Sequence, residues 1–236
     1  LYVAAGSFSP DRGDDCWSTA NGTVWTLETN DLGVSGLRNF AMTAHEGKLW
    51  IYSGVDSYGG QQWYSRSSAD GRIWAGHALD QARYFHAMAS FNGRLWAVGG
   101  FIDGILTNAV TWSTNGIDWH AAPAPGFAPR LLPGLTVHNG RLWVSGGNLY
   151  TSGSINDGPH TNDVWSTADG LAWTCATPSA PFSPRSAHGF VTAGNRLYVV
   201  GGTFADQYGN RVGTNDIWKS YDGITWEQVA VSTPFQ

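Results

Sequence analysis

Short apolar segments alternate along this chain with polar stretches that contain glycine, and the same segments recur. One segment reads GKLWIYSG, GRLWAVGG, GRLWVSGG and NRLYVVGG, with a shorter copy, LYVAAG, at Leu1. Its copies start at Gly47, Gly93, Gly140 and Asn195. A short run of apolar residues such as Leu-Trp-Ala-Val, followed by glycine, is typical of a buried β-strand that runs into a turn. The recurrence predicts a repeat architecture.

A second segment follows each copy of the first and ends in Trp. Its five copies read CWSTANGTVW, WYSRSSADGRIW, WSTNGIDW, VWSTADGLAW and IWKSYDGITW. Each contains an Asn-Gly or Asp-Gly pair between apolar residues, the strongest short signal for a hairpin. The copies are spaced by roughly 45 to 55 residues, the length of one four-stranded propeller blade.

A third apolar segment completes the repeat and follows an arginine in four copies (Arg38, Arg83, Arg130 and Arg185). A two-residue turn such as Asn92-Gly93 joins it to the Gly-Arg-Leu-Trp segment. Both residues of such a turn tolerate positive φ, as the twist of a hairpin requires. Each copy therefore predicts four strands, which we name a to d. Strand a follows the arginine, strand b enters the Gly pair, and strands c and d flank the Asx-Gly turn.

All thirteen Trp residues can be assigned to these strands. Strand b holds Trp50, Trp96 and Trp143, strand c holds Trp17, Trp63, Trp112, Trp165 and Trp218, and strand d holds Trp25, Trp74, Trp119, Trp173 and Trp226. A large ring at a fixed place in every copy predicts packing between neighbouring sheets rather than stacking on a sugar.

The order of arginine, strand a, Gly pair and paired Trp residues resembles the Kelch repeat over essentially the whole chain. Gly99-Gly100, Gly146-Gly147 and Gly201-Gly202 carry the likeness. The Tyr-Asp pair usual in Kelch strand c is replaced by Trp-Ser or Trp-Lys-Ser. The c–d turn also resembles the Asp-box hairpin of sialidase-type propellers, which is a folding element. The resemblance implies an all-β fold, a single β-propeller.

We expect one domain over residues 1–236, with about five four-stranded blades. Their approximate ranges are 1–30, 38–77, 83–122, 130–177 and 185–231. The chain opens at strand b and ends about where a further strand a would begin, so one inner strand is missing from a ring of five. Six blades are the alternative if the natural chain is longer.

Composition argues against several functions. The net charge is −5 and charged residues make up only 13% of the chain, so no surface for nucleic acid is expected. No apolar run approaches the roughly 18 residues of a membrane span.

Cys16 and Cys175 fall in different copies and are not expected to pair. No zinc, Walker or nucleophile-elbow pattern occurs, and we expect no metal or cofactor. Low lysine content, abundant Trp and Gly, and a start without Met favour a secreted or periplasmic protein.

Candidate ligand-binding residues lie on the face that carries the b–c loops. The a–b and c–d turns are tight and uniform, whereas the b–c loops differ in length, and unequal loops on a rigid scaffold commonly carry recognition. The candidates are the four repeated arginines and six loop residues: Arg38, Arg83, Arg130, Arg185, Tyr58, Asp103, Tyr150, His160, Tyr208 and Arg211.

The role of the repeated arginines has two interpretations. A guanidinium fork suits carboxylates, and the likeness to Kelch proteins that bind acidic peptides implies ligand contact at comparable places. The same side chains could instead bond backbone carbonyls between blades. The sequence leaves both roles open.

The leading hypothesis is a non-catalytic binding module that recognises a protein or an acidic peptide through the loop face. A carbohydrate-binding lectin is an alternative, because a repeat would supply several equivalent pockets. A channel enzyme similar to the Kelch-type sialic acid mutarotases is another. That likeness implies arginine and an acidic residue in the channel, but Glu28, Glu46 and Glu227 lie near strand ends or turns.

Overall fold

The computed structural model describes residues 1–4, 14–34, 36–56, 58–150, 158–206 and 210–230. Every helix or strand found within these ranges is a β-strand. The strands form five sheets that succeed one another along the chain, here called sheets 1 to 5, and one accessory sheet beside sheet 3.

Each sheet draws its strands from one stretch of the chain. Sheet 1 contains β1 (Tyr2–Ala4), β2 (Cys16–Ser18) and β3 (Thr26–Thr29). Sheet 2 contains β4 (Ala41–His45), β5 (Lys48–Tyr52), β6 (Tyr64–Ser68) and β7 (Ala75–Ala78). The accessory sheet contains β8 (Arg83–Tyr84), β11 (Phe101–Ile102) and β12 (Ile105–Leu106), and sheet 3 contains β9 (Ala87–Phe91), β10 (Arg94–Val98), β13 (Val110–Ser113) and β14 (His120–Ala121). Sheet 4 contains β15 (Gly134–His138), β16 (Arg141–Asn148), β17 (His160–Thr167) and β18 (Thr174–Thr177). Sheet 5 contains β19 (Gly189–Ala193), β20 (Arg196–Ala205), β21 (Arg211–Ser220) and β22 (Trp226–Ala230).

Sheets 2 to 5 each have the order a–b–c–d, with every neighbouring pair antiparallel. Sheet 1 has strands b, c and d among the described residues. The turn Asn92-Gly93 has φ values of 50° and 69°. Two left-handed residues in succession match the twist of the flanking strands, which is why Asn-Gly pairs occur here.

The inner strands β4, β9, β15 and β19 lie side by side around a channel. Shortly before each of these strands one residue has a left-handed backbone: Asn39, Phe85, Leu132 and Ala187, with φ of 58°, 57°, 51° and 53°. The amide of Phe85 donates to the Asn39 carbonyl at 2.9 Å, and that of Leu132 donates to Phe85 at 2.7 Å. The Ala187 amide likewise donates to Leu132 at 3.0 Å. This row of hydrogen bonds joins four sheets at the channel mouth and holds the unusual backbone in place.

Neighbouring sheets also interlock at the c–d turns. A Cβ on Gly170 would lie 2.1 Å from the ring of Trp96, and one on Gly223 would lie 2.1 Å from Trp143. Two further turns meet the preceding sheet in the same way, in the pairs Gly116–Trp50 and Gly71–Tyr2. The strand b rings therefore pack between sheets against turn glycines that have no room for a side chain.

Strand c differs from the predicted pattern in two sheets. Three indoles occupy one equivalent position and donate at 2.7 Å to a carboxylate two residues earlier: Trp17, Trp165 and Trp218. In sheets 2 and 3 this position, four residues before the turn Asx, holds Arg66 and Thr111. Trp112 lies one residue later and so faces the other side of its sheet, and Trp63 precedes β6 and is 44% exposed. The prediction of one shared Trp position in strand c is wrong for these two sheets.

Candidate functional site

A cavity of about 640 Å³ lies at the channel mouth and is lined from sheets 2 to 5. Residues just before the inner strands and residues of the b–c loops form its wall together. The polar lining residues include Arg38, Asn39, Gln61, Asn148, His160 and Arg211, and the apolar ones include Val55, Tyr84, Phe85, Leu131 and Leu132. The volume falls in the range of small-ligand pockets, roughly 300 to 1,000 Å³.

Backbone bridges position this wall. Arg38 and Val55 exchange two amide-to-carbonyl hydrogen bonds of 2.9 Å each. Leu131 and Asn148 do the same in sheet 4, at 2.8 and 2.9 Å. Each bridge ties the start of the strand a segment to residues at the end of strand b or beyond it. The lining residues are therefore held by the backbone of the sheets.

His160 and Arg211 face the cavity from sheets 4 and 5. His160 begins β17 and pairs with Asn148, while Arg211 begins β21 and pairs with Ala205. Burial lowers the pKa of His160, the nearby positive charge of Arg211 lowers it further, and a hydrogen bond with the Gly158 backbone opposes the change. His160 is therefore a neutral hydrogen-bonding group at neutral pH, and the charge at the cavity wall comes from arginine.

Three of the four repeated arginines are buried inside the sheets. Arg130 forms a two-pronged ion pair with Asp163, at 2.7 and 2.8 Å, and Arg185 forms one with Asp216, at 2.6 and 2.9 Å. Burial opposes ionisation of both carboxylates, but hydrogen bonds and charge from the arginines outweigh it and lower the pKa of Asp163 and Asp216. Arg83 donates to the Gly99 carbonyl and to the Thr111 hydroxyl, each at 2.8 Å. These guanidinium groups bond the protein itself.

Arg38 is not equivalent to the other three arginines. Its backbone bridge to Val55 matches those made by Leu131 and Ser186, which each follow a buried arginine by one residue. The place of the buried arginine in sheet 2 is taken by Leu37, which is fully buried. Arg38 therefore lines the cavity because it is shifted by one position. The sequence shows this shift, because Arg38 lies nine residues before the start of its strand b segment and the other three arginines lie ten residues before theirs.

The remaining candidates lie in several places. Tyr58 is 91% exposed, and its neighbour Gly59 lines the cavity. The Asp103 carboxylate accepts from the Ala82 amide at 3.3 Å. Tyr150 packs edge-on against Phe101, with ring centroids 5.8 Å apart. Tyr208 lies outside the described residues.

Of the ten candidates, the cavity thus gathers Arg38, His160 and Arg211. Reasoning from sequence missed Asn39, Gln61 and the apolar lining residues. The available signal for Asn39 was its place in the repeat, shortly before an inner strand. The equivalent residues Phe85, Leu132 and Ala187 also line the cavity.

Both cysteines are free, with Cys16 buried in β2. Burial, helped by the charges of Glu28 and Asp15, raises the pKa of the Cys16 thiol to about 11, so it is a packing group at neutral pH. The described residues contain no cluster of three or more metal-ligating side chains. No helix in the described part of the chain is long and apolar enough to cross a membrane.

Comparison with solved structures supports the fold. The structure titled "Structure of YjhT" matches with a TM-score of 0.78 and 13% sequence identity, over 98% of this chain and 81% of that one. At this identity the likeness concerns the fold alone. It confirms the prediction of an all-β, propeller-type protein. The number of blades and the Kelch assignment stay predictions.

Sequence comparison supports no family assignment for this chain. The chain is 26% identical over 129 residues to the Rho GTPase-activating protein gacHH of Dictyostelium discoideum. That match spans 52% of this chain but only 8% of the relative. No family model matches the chain.

Proposed function

We propose that this chain is a non-catalytic binding module that recognises an acidic segment of another protein at the channel mouth. The observation that carries this proposal is the charge of the cavity wall. The charged residues among the described lining residues are Arg38 and Arg211, and none of these lining residues is Asp or Glu. Guanidinium groups pair with carboxylates through two parallel hydrogen bonds, which gives both affinity and orientation.

The other lining groups suit the same ligand. Asn39, Gln61 and neutral His160 offer hydrogen bonds to a peptide backbone. Leu131 and Leu132 add apolar contact in the same cavity. The proposal leaves out Arg83, Arg130 and Arg185, because their side chains are buried and bonded within the sheets.

Calorimetry against a glutamate-rich peptide and its glutamine-rich counterpart tests this proposal. We expect the glutamate peptide to bind and the glutamine peptide to bind much more weakly. Arg211→Ala should weaken binding about ten- to hundredfold, because a hydrogen bond to a charged group contributes about 1.5–3 kcal/mol and each 1.4 kcal/mol is tenfold.

Arg196→Ala is the matched control. Arg196 is exposed at the start of β20, at the opposite end of the sheets from the b–c loops. It should bind like the unmodified chain. The proposal fails if neither peptide binds, or if Arg211→Ala and Arg196→Ala bind the glutamate peptide equally well.

A sugar acid is the competing ligand, because its carboxylate would meet the same two arginines. The propeller-type neighbour fits an enzyme as well as a binding module. NMR of sialic acid anomers with and without the protein separates these cases. Faster exchange of the anomers would show that the protein is an enzyme rather than a binding module. A glycan-array signal without faster exchange would show that it is a lectin.

A further inference from the structure

A second cavity, of about 580 Å³, opens between sheets 2 and 3. The connection after β7 forms one side of it, through residues such as Asp80. Thr111 and Trp119 of sheet 3 and Tyr52 of sheet 2 form the other side. Its lining residues do not overlap with those of the channel mouth, so a function of this gap is independent of the acidic-segment site.

In the next two gaps between sheets, the corresponding space is filled by phenylalanine. Phe127 is 2% exposed and packs edge-on against Trp173 at 5.4 Å between ring centroids. Phe182 is 1% exposed and packs in the same way against Trp226 at 5.2 Å. Each Phe lies three residues before a buried arginine. Three residues before Arg83 the chain has Asp80 instead.

A second ring is missing from the same gap. Phe127 also packs against Trp165 at 5.8 Å, and Phe182 packs against Trp218 at 6.3 Å. Thr111 occupies this strand c position in sheet 3. Two aromatic rings that fill the next two gaps are thus replaced by Asp and Thr. The ring of Tyr52, at a strand b position that holds Val98 in sheet 3, lies in this gap, and an open space remains beside it.

The cavity keeps an aromatic wall. Tyr52 and Trp119 stack with ring centroids 4.1 Å apart and an interplanar angle of 9°. Trp119 is the counterpart of Trp173 and Trp226, against which the internal phenylalanines pack. Tyr52 covers one face of Trp119, and the rest of the Trp119 ring offers an entering aromatic ring an edge-on contact like that between Phe127 and Trp173.

Acidic groups stand at the opening. Asp80 and Asp118 are both exposed and both line the cavity. Arg83 lies behind the wall, fully buried, and donates to the Gly99 carbonyl and to the hydroxyl of the lining residue Thr111, so the positive charge lies at the back of the cavity and the exposed carboxylates line it nearer the solvent. A ligand with an aromatic ring beside a positive charge complements both features.

We infer that this gap is a docking site for a partner protein segment that carries an aromatic residue next to Lys or Arg. The aromatic side chain takes the place that Phe127 and Phe182 take in the other gaps. The basic side chain pairs with Asp80 and Asp118. The partner thus supplies in trans the ring that Phe127 and Phe182 supply within the chain in the next two gaps.

The test uses a short arginine–phenylalanine–arginine peptide with glycine at both ends. Two matched peptides replace phenylalanine by alanine or both arginines by glutamine. NMR of the Trp119 indole N–H, which donates to the Gly116 carbonyl at 3.3 Å, reports occupation of the wall. We expect saturable shifts with the first peptide and at least tenfold weaker binding of either matched peptide.

Asp80→Phe supplies the missing ring within the chain. It should abolish binding of the peptide and raise the thermal midpoint, because the ring fills the cavity. Asp80→Asn keeps the cavity and should weaken binding about fivefold, which preserves the test if Asp80→Phe does not fold. Glu46→Gln, at an exposed a–b turn of sheet 2, should bind normally.

Three outcomes would overturn the inference. The first is the absence of saturable shifts at millimolar peptide. The second is unchanged binding by folded Asp80→Phe or by Asp80→Asn. The third is equal binding of the alanine or glutamine peptide, which would mean that the gap does not select an aromatic ring beside a cation.

Discussion

His86 and His188 are buried histidines whose rings act as packing groups rather than as titrating groups at neutral pH. They lie three residues after Arg83 and Arg185, and neither ring makes a hydrogen bond to the described residues. Burial, with the nearby arginine charge, lowers the pKa of His188 to about 3 and that of His86 well below its usual range. A Cβ on Gly134 would lie 2.7 Å from the His188 ring, so that glycine makes room for it.

Lowering the pH from 7 to 5 is therefore expected to destabilise the fold. In the unfolded chain His188 protonates near pH 6.5, whereas in the folded chain it stays neutral down to about pH 3. The loss begins below pH 6.5, continues towards pH 3, and reaches about 2 kcal/mol for this residue at pH 5. Urea unfolding at both pH values measures the effect.

His188→Met removes the titrating group and should reduce the pH 7 to pH 5 difference by about that 2 kcal/mol. The exposed His120→Gln is the matched control and should keep the full difference. Asp163 and Asp216 act in a lower window, because their pKa values lie below the usual 3.8. Full pH dependence in His188→Met would contradict the neutral state of the buried ring.

At the scale of elements, five c–d turns share one hydrogen-bond pattern. In each turn a Ser or Thr hydroxyl accepts from the turn Gly amide, at 2.8 to 3.0 Å: Thr19, Ser68, Ser113, Thr167 and Ser220. Four of the turns also press their glycine against an aromatic ring of the preceding sheet. No described atom lies within 4 Å of a Cβ built on Gly22, in the first turn.

Two alanine substitutions separate these roles. Gly170 and Gly22 have φ of 81° and 76°, so both variants incur a similar backbone cost. Gly170→Ala also pushes a methyl group into Trp96, and overpacking costs about 1–3 kcal/mol more. Denaturant unfolding should show Gly170→Ala to be the less stable variant by that margin. Equal losses would mean that the turn does not interlock the sheets.

At the scale of the whole molecule, sheet 1 lacks an inner partner among the described residues. Asp15 occupies the place of Asp163 and Asp216 and accepts from the Trp17 indole at 2.7 Å. Its other oxygen is buried without a partner in the described part of the chain. In sheets 4 and 5 that partner is the arginine before strand a. The geometry fits one further strand that is led by an arginine.

A peptide with the sequence of residues 182–193, which includes Arg185 and strand β19, tests whether sheet 1 accepts a further inner strand beside β1. Added in trans, it should raise the thermal midpoint in a concentration-dependent way, because it binds the folded chain only. The same peptide with Arg185→Ala should bind at least about tenfold more weakly, since it brings no guanidinium group to Asp15. An unchanged midpoint at millimolar peptide would contradict the expectation.

The repeat, the strands and the turns could be read from the sequence because their signals are local. The short apolar runs in the Gly-Arg-Leu-Trp segments become β10 and β16, and Asn92-Gly93 forms the left-handed turn that its residues favour. The loop face was also predictable, since strand direction alone places the b–c loops at one end. These features need no knowledge of which residues meet across the fold.

Only the folded chain showed what the buried arginines bond to and which place in each sheet is the buried one. Arg130 meets Asp163 and Arg185 meets Asp216, pairs that lie 33 and 31 residues apart in the chain. Arg38 reaches the channel mouth because Leu37 takes the buried place in its sheet. A shift of one residue turns a side chain to the opposite face of a strand. The sequence contains the one-residue difference in the spacing of Arg38, but its meaning depends on which place in the sheet is buried. The pairings themselves arise from packing between distant segments, which no local pattern contains.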